Sequence, residues 1–325
     1  MNKIDKFYEI KNLLKCPRCE KKIRFHAGGL VCKREHRFDI SSKGYVNLLQ
    51  ENRVFKGYDS SFFVSRTRFM EAGYYDHIID AVCEKAEQAA REAIFRSRQK
   101  SKMTGEVGKS AQKTVGKAFG KSAEGVRKED DISEEPFVVA DAGCGEGSYS
   151  SRLAARLAAA GLKYQCIAFD ISADAVKIAS KNVENVKWLV ADITNIPLKN
   201  ETVDCILDIF TPANYGEFSR ILKPEGTVIK VIPASCHMQQ LRQAAAHLLR
   251  NSEYSGEEVS EYFEKHFEVT DRFTVSRTFA IGTADLEDLV KMTPLLFDIE
   301  KEALELDCIK EITVAAEILI GKLRA

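Results

Sequence analysis

Four residues near the N-terminus have the types and spacing of a metal site. Cys16 and Cys19 form a C-x2-C pair, and Cys32 and His36 follow twelve residues later as C-x3-H. A C-x2-C knuckle places two thiolates on one turn, and the second pair completes a tetrahedron. Three sulfurs and one nitrogen suit zinc, and four protein ligands leave no open position, so the expected role is structural. Gly28-Gly29 between the pairs predicts the tip of a small hairpin. His26 is a competing donor, but it has no partner at knuckle spacing. The plain alternative is a chance C-x2-C beside two buried residues. A metal bound in this way contributes about 10–16 kcal/mol in zinc-finger peptides, enough to fold a module with little core.

A second stretch, Val138–Tyr149, reads V-V-A-D-A-G-C-G-E-G-S-Y. The apolar run Phe137–Ala140 predicts a buried strand ending in Asp141. Gly143, Gly145 and Gly147 follow at alternating positions, and Ser148–Ala160 has the composition of a helix. Strand, glycine turn and helix make a nucleotide-type cofactor site, because glycines let a ligand approach bare backbone at a helix N-terminus. A dinucleotide fingerprint would be G-x-G-x-x-G. The spacing D-x-G-x-G-x-G instead resembles motif I of the class I S-adenosylmethionine-dependent methyltransferases. An ordinary tight turn is the bland reading. Two further predicted strands end in acids: Tyr164–Phe169 before Asp170, and Val186–Val190 before Ala191-Asp192. A surface acid explains any one of these positions, and all three together much less well. In the resemblance, Asp170 accepts the ribose hydroxyls and Asp192 reaches the adenine amino group.

Behind the knuckle stands His36-Arg-Phe-Asp-Ile-Ser-Ser-Lys-Gly-Tyr-Val-Asn-Leu-Leu49, and later Arg68-Phe-Met-Glu-Ala-Gly-Tyr-Tyr75. With the zinc spacing and the glycine turn, these segments resemble the bacterial 23S rRNA (guanine-N1)-methyltransferases of the RlmA group, over residues 14–83 and 136–320. The resemblance implies an α/β fold: a Rossmann-like seven-stranded sheet of the class I methyltransferase type, with a small N-terminal zinc ribbon. It also implies S-adenosylmethionine and structural zinc as bound groups, and methylation of N1 of one guanine in a hairpin of 23S rRNA. One branch of that family confers resistance to tylosin-type macrolides. Tyr75, Glu146, His237 and Arg242 join Asp141, the three glycines, Asp170 and Asp192 as expected cofactor residues. Dimerisation is a family expectation with no support in the residues. Asp208, at the end of the predicted strand Val203–Phe210, is the nearest candidate base for removing the N1 proton. Other readings stay open: a core role for Tyr75, a cap or surface role for His237, methyl transfer to a small molecule, and a non-catalytic rRNA-binding or assembly factor keeping the fold.

Four segments are expected to carry these residues: a zinc module over 1–50, a helical connection over 51–95 containing Phe62–Tyr75 and Tyr75–Arg91, a flexible insert over 96–135, and a methyltransferase domain over 136–325. The insert is read from ten Lys/Arg against two acids over residues 96–128, with five glycines. Its functional reading is an extra RNA-binding arm, and the bland one, slightly favoured, is a solvated linker. A helix from about His237 to Asn251 and late strands over Val269–Ile281 and Ile312–Lys322 complete the expected sheet. Lys+Arg and Asp+Glu are 48 each in 325 residues, so no global basic charge points to nucleic acid. The ribbon does carry Arg18, Lys21, Lys22, Arg24, Lys33, Arg34, Arg37 and Lys43 with Tyr45, suited either to phosphates and unpaired bases or to plain solvation. No apolar run has membrane-spanning length, and Met1–Lys11 is too charged for a signal peptide. Nine cysteines without an export signal point to a reducing cytoplasm.

Overall fold

The computed structural model describes residues 4–49, 57–113, 135–181, 185–248, 256–300 and 303–324, and the side chains of all of these except 100–113. Alternation of apolar and small residues in the strands β5 (Phe137–Ala142), β6 (Tyr164–Asp170), β7 (Val186–Val190), β8 (Val203–Ile209) and β9 (Leu222–Pro233) builds a parallel sheet. Two long strands, β10 (Phe267–Ala280) and β11 (Glu311–Leu323), close one side. β11 lies antiparallel between β9 and β10. The order is β10-β11-β9-β8-β5-β6-β7-β4, eight strands in all, with β4 (Tyr45–Asn47) running parallel to β7. The extra strand relative to the expected seven comes from the N-terminal segment.

Strand parity divides the core. Phe137, Val139, Leu207, Ile209, Ile229 and Val231 face one side, packed against α2 (Ser60–Glu71), α3 (Asp76–Lys113), α4 (Ser148–Ala159), α7 (Gln239–Ala244) and α9 (Thr283–Lys291). Val138, Ala140, Ile206 and Val228 face the other, against α6 (Tyr215–Ile221) and α8 (Glu257–His266). A smaller cluster around fully buried Trp188 seats α4 and α5 (Ala173–Ala179) on β6 and β7. Strand order reverses around β5, which pairs with β6 on one side and β8 on the other. Ligands of open α/β sheets bind at such a switch point, beyond the carboxyl ends of the strands.

The zinc-module residues do not form a separate body. Helix α1 (Lys6–Ile10) and the antiparallel β1 (Ile23–His26), β2 (Gly29–Cys32) and β3 (Arg37–Asp39) put Phe7, Ile10, Leu14, Leu30 and Phe38 into the same core as Ala140 and Ile206. The hairpin tip is Ala27-Gly28, both left-handed, while Gly29 already pairs with His26. Leu14 bridges Leu198, Lys15 N donates to Pro197 O at 3.0 Å, and buried Lys6 Nζ donates to Val186 O at 2.7 Å. The described ribbon residues therefore share the sheet's core, because three short strands cannot cover their own apolar side; the expected boundary at residue 50 lies outside the described residues.

α3 differs from expectation in length. It continues from Asp76 to Lys113, well into the expected insert, and would span about 57 Å at 1.5 Å per residue. Ala, Glu, Gln, Lys and Arg dominate its second half and are strong helix formers, and Arg91–Glu87 and Arg96–Glu92 pair one turn apart. Composition alone had hidden that propensity. The remainder of the insert, 114–134, lies outside the described residues, as does the expected helical end at Asn251. No helix among the described residues is long and apolar enough to cross a membrane.

Gly147, the left-handed N-cap of α4 (φ 86°), faces Trp188: a Cβ there would lie 2.4 Å from its ring. Gly161 is also left-handed (φ 68°), but nothing lies within 4 Å of its Cβ position. In urea unfolding, Gly147→Ala should cost about 2–4 kcal/mol, the sum of left-handed strain and overpacking, and Gly161→Ala only about 1 kcal/mol. Equal costs would mean that the Trp188 contact does not constrain the turn.

Candidate functional site

The cavity at the switch point has a volume of about 800 Å³. Its floor is the β5–α4 turn. Gly143 and Gly145 line it with φ of 76° and 55°, and Asp170, ending β6, accepts Gly145 N at 2.9 Å and Ser172 N at 2.8 Å. Asp141, one residue before the end of β5, is buried and accepts the Ser150 hydroxyl. Burial pushes its carboxyl up from 3.8 to about 7, with Glu146, Asp170 and Asp208 nearby adding to the rise. Burial raises Asp170 in the same direction.

The far wall comes from α2, the start of α3 and the segment after β9. Tyr75 Oη lies 3.5 Å from His237 Nε2, and Phe210 packs against both rings. Ala315 N donates to His237 Nδ1 at 3.1 Å. A neutral His237 with Nδ1 accepting must carry its proton on Nε2, facing Tyr75. Burial keeps the ring neutral, lowering its pKa to about 4, and burial raises the Tyr75 phenol to about 12. Both groups are therefore hydrogen-bond donors at neutral pH. Phe210 (φ 53°) and Met238 (φ 50°), both cavity residues, are left-handed without being glycine, a strained state concentrated at functional sites.

The structure gathers Tyr75, Asp141, Gly143, Gly145, Asp170, His237 and Arg242 around one cavity. Gly147 supports the turn from behind, against Trp188. Glu146 does not line the cavity and instead holds Arg66, whose Nε donates to Glu146 Oε2 at 2.6 Å. Asp192 also lies off the lining, capping its own turn by accepting Thr194 N at 2.8 Å, although its neighbours Ala191 and Ile193 do line it.

Asp208 must be corrected. It is fully buried, lies 3.0 Å from Lys230 Nζ, and does not reach the cavity. Ile206, the neighbouring even-numbered position of β8, faces away from α2 and α7, and the strand's alternation turns Asp208 to that same side, away from the cavity. Lys230 in turn donates to Thr211 O at 2.8 Å, which fixes the loop that does line the cavity. Sequence reasoning missed Arg66, Tyr149 and Phe210 as lining residues. A single Arg on the Phe62-Phe63-Phe69 face of α2 was the available signal for the first.

In the ribbon, Cys16, Cys19, Cys32 and His36 place their ligand atoms within 4.8 Å of one another. Cys16 Sγ lies 3.5 Å from His36 Nδ1, and Cys19 Sγ 3.6 Å from Cys32 Sγ. Each knuckle closes through a left-handed Glu, Glu20 or Glu35, and Arg34 N donates to Cys32 Sγ at 3.3 Å. The donor set, three thiolate sulfurs and one imidazole nitrogen, fits a closed zinc site. His26 stands apart from this cluster. Asn195 Nδ2 donates to Pro17 O at 3.0 Å, tying the first knuckle to the loop after β7.

Comparison with known proteins gives two family matches. Residues 14–52 match the family described as "RlmA, N-terminal", and residues 139–226 match "Methyltransferase domain". The Bacillus subtilis protein YxjB, to which 23S rRNA (guanine-N(1)-)-methyltransferase activity is ascribed, is 30% identical over 95% of this chain and 97% of its own. The 23S rRNA (guanine(748)-N(1))-methyltransferase of Streptomyces fradiae is 24% identical over 94% of this chain and 95% of its own. A Micromonospora griseorubida protein with the same ascribed activity as YxjB is 28% identical over 86% of this chain and 85% of its own.

Stripping the metal with a chelator, or Cys16→Ser, should expose residues 14–49 to protease and also uncover the Ala140–Ile206 face. Thermal unfolding should then fall by roughly 5–10 °C, the shift expected for a loss of a few kcal/mol. An unchanged midpoint would show that the ribbon's docking does not depend on metal.

Proposed function

The chain belongs to the 23S rRNA (guanine-N1)-methyltransferase family, and from that premise we propose that it methylates N1 of one guanine in a hairpin of 23S rRNA. The observation that carries this reading is the RlmA-type ribbon docked on the same sheet that holds the cavity. The cofactor is S-adenosylmethionine and the ribbon metal is structural zinc. S-adenosylmethionine supplies an electrophilic methyl group. The chain's work is then to position the base in line and exclude water.

The cofactor residues are Tyr75, Asp141, Gly143, Gly145, Asp170, His237 and Arg242, with Asp170 at the ribose. Gly147 shapes the turn. Asp192 acts through its loop, whose neighbours Ala191 and Ile193 face the adenine end. A cavity of about 800 Å³ leaves space beside the cofactor for a base splayed out of its stack. The N1 proton leaves to solvent as the methyl bond to N1 forms, and the negative charge that builds on the base meanwhile is shared with guanine O6. Tyr75 Oη–H and His237 Nε2–H are donors suited to stabilising it, and neither is suited to accept the proton. The exposed ribbon cations Arg18, Lys21, Lys22, Arg24, Lys33, Arg34, Arg37 and Lys43 would neutralise phosphates. As an rRNA-modifying enzyme the protein would work in the cytoplasm, and the family resemblance implies a homodimer. The domain division follows function more than packing: ribbon residues for RNA, α2 and the start of α3 for the cavity wall, the sheet for the cofactor.

Primer extension on 23S rRNA, incubated with the zinc-loaded enzyme and S-adenosylmethionine, should stop at one hairpin guanine, since N1 methylation blocks base pairing. Absence of any stop, with methyl transfer to small molecules instead, would replace the substrate reading.

Asp141 makes both stability and cofactor binding depend on pH. Its raised value means the native state binds the proton more tightly than the unfolded chain. It therefore stabilises the unliganded protein below about pH 4 and loses that contribution as pH rises toward 7. A cationic cofactor favours the ionised carboxylate, so binding near pH 6.5 should release a fraction of a proton, seen as a binding enthalpy that varies with buffer ionisation heat. Asp141→Asn should abolish the dependence. A wild-type enthalpy independent of buffer would remove Asp141 from the cofactor's field.

A further inference from the structure

The cofactor's methionine end carries a carboxylate, and the cavity is poor in cations. Among the described residues its charged lining consists of Asp141, Asp170, Arg66 and Arg242, with Glu146 just behind Arg66. Three carboxylates around one small site cannot themselves receive a fourth, so one of the two arginines must offset it or the cofactor binds against repulsion.

The two arginines are placed differently. Arg66 sits over the glycine turn, its Nε 3.8 Å from where a Gly145 Cβ would be, and its guanidinium lies 5.9 Å from the Tyr75 ring centre. Its side chain is 17% accessible and lines the cavity. Burial works against its charge, but Glu146, Tyr75 and Tyr149 more than compensate and hold it firmly protonated. Glu146 takes Nε, and neither Nη forms a hydrogen bond among the described residues. That leaves the Nη1–Nη2 edge, the fork that matches a carboxylate in two parallel bonds. Arg242 already donates through Nη2 to Ser235 O, outside the glycine turn.

We propose that the Arg66 guanidinium is the receptor for the α-carboxylate of the cofactor's methionine moiety, oriented by the Glu146 bond that fixes Nε beside the glycine turn and leaves the Nη edge for the ligand. This rests on the reading of the cavity as an S-adenosylmethionine site. α2 thereby contributes a charge as well as a wall, and the segment before the glycine fingerprint becomes part of cofactor recognition. It also gives Glu146 a reason to be an acid: a carboxylate holds Nε in a charge-assisted bond that a neutral amide acceptor would make more weakly.

The test compares two ligands that differ only in the group in question. Calorimetric binding of S-adenosylmethionine and of decarboxylated S-adenosylmethionine is measured for the zinc-loaded wild type, Arg66→Met, Arg66→Lys and Arg242→Met. The wild type should prefer the carboxylate-bearing ligand by roughly 10- to 100-fold, the range for a charged hydrogen-bonded pair. Arg66→Met should bind both alike, with affinity for the decarboxylated ligand within about 3-fold of wild type if only the carboxylate contact is lost. Arg66→Lys, keeping charge without the fork, should retain part of the preference. Equal weakening for both ligands in Arg66→Met would make Arg66 a structural support and overturn the proposal. So would loss of the preference in Arg242→Met instead, and so would a wild type without any preference, a measurement that holds even if Arg66→Met fails to fold. A wild type that binds neither ligand overturns the cofactor reading, and the Arg66 role with it.

Discussion

One turn constrains the whole cofactor side of the molecule. Gly143, Gly145 and Gly147 are all left-handed, and each is left without a side chain for a different reason. A Cβ at Gly143 would lie 2.5 Å from Thr211 Oγ1, so the turn and the β8 loop close on each other only through glycine. A Cβ at Gly147 would strike Trp188, whose ring seats α4 and α5 on the sheet. At Gly145 the space opens toward the cavity and the backbone N–H reaches Asp170. Crevice width, helix seating and cavity floor are therefore set by three alternate positions of one segment.

The wall opposite that turn is held by strain and by a buried ion pair. Phe210 is left-handed where β8 ends, and the next carbonyl, that of Thr211, is held by Lys230. Lys230 pairs with Asp208 at 3.0 Å in an otherwise apolar face, and the pair holds its Nζ where it donates to that carbonyl. The acid that looked like a base is thus a brace, and its effect on the cavity passes through a backbone oxygen.

What could be read in the chain, and what could not, separates along local against long-range order. The C-x2-C and C-x3-H pairs and the alternate glycines are local patterns, and the structure gathers the four metal donors in one cluster and sets Asp170 against the glycine turn. Asp208 was misplaced because ending a strand does not fix which face a side chain takes; the period of two does, and it points this one away. Asp192 and Glu146 lie one residue off the lining, where turn geometry decides and sequence is silent. Arg66 stands 80 residues from Glu146 along the chain and meets it only after α2 packs on the sheet. The eighth strand and the docked ribbon belong to the same class: β4 is three residues long, and only the open edge of β7 gives it a place.

The neutral overall charge conceals two fields of opposite sign. Residues 14–49 hold nine Lys/Arg against three Asp/Glu, and eight of those cations are solvent-exposed. The cavity instead collects carboxylates, two of them raised by burial, around a few guanidinium groups. A polyanion is therefore drawn to the ribbon and repelled from the floor of the cavity, while a small cation has the reverse preference. For an enzyme taking a phosphate-rich acceptor and a sulfonium donor, this separation keeps the acceptor's backbone out of the donor's pocket and lets only an uncharged base enter. Docking the ribbon on the sheet by β4, the Leu14–Leu198 bridge and the Asn195–Pro17 bond fixes the distance between the two fields. The tethering that sequence alone did not show is what makes one substrate geometry possible.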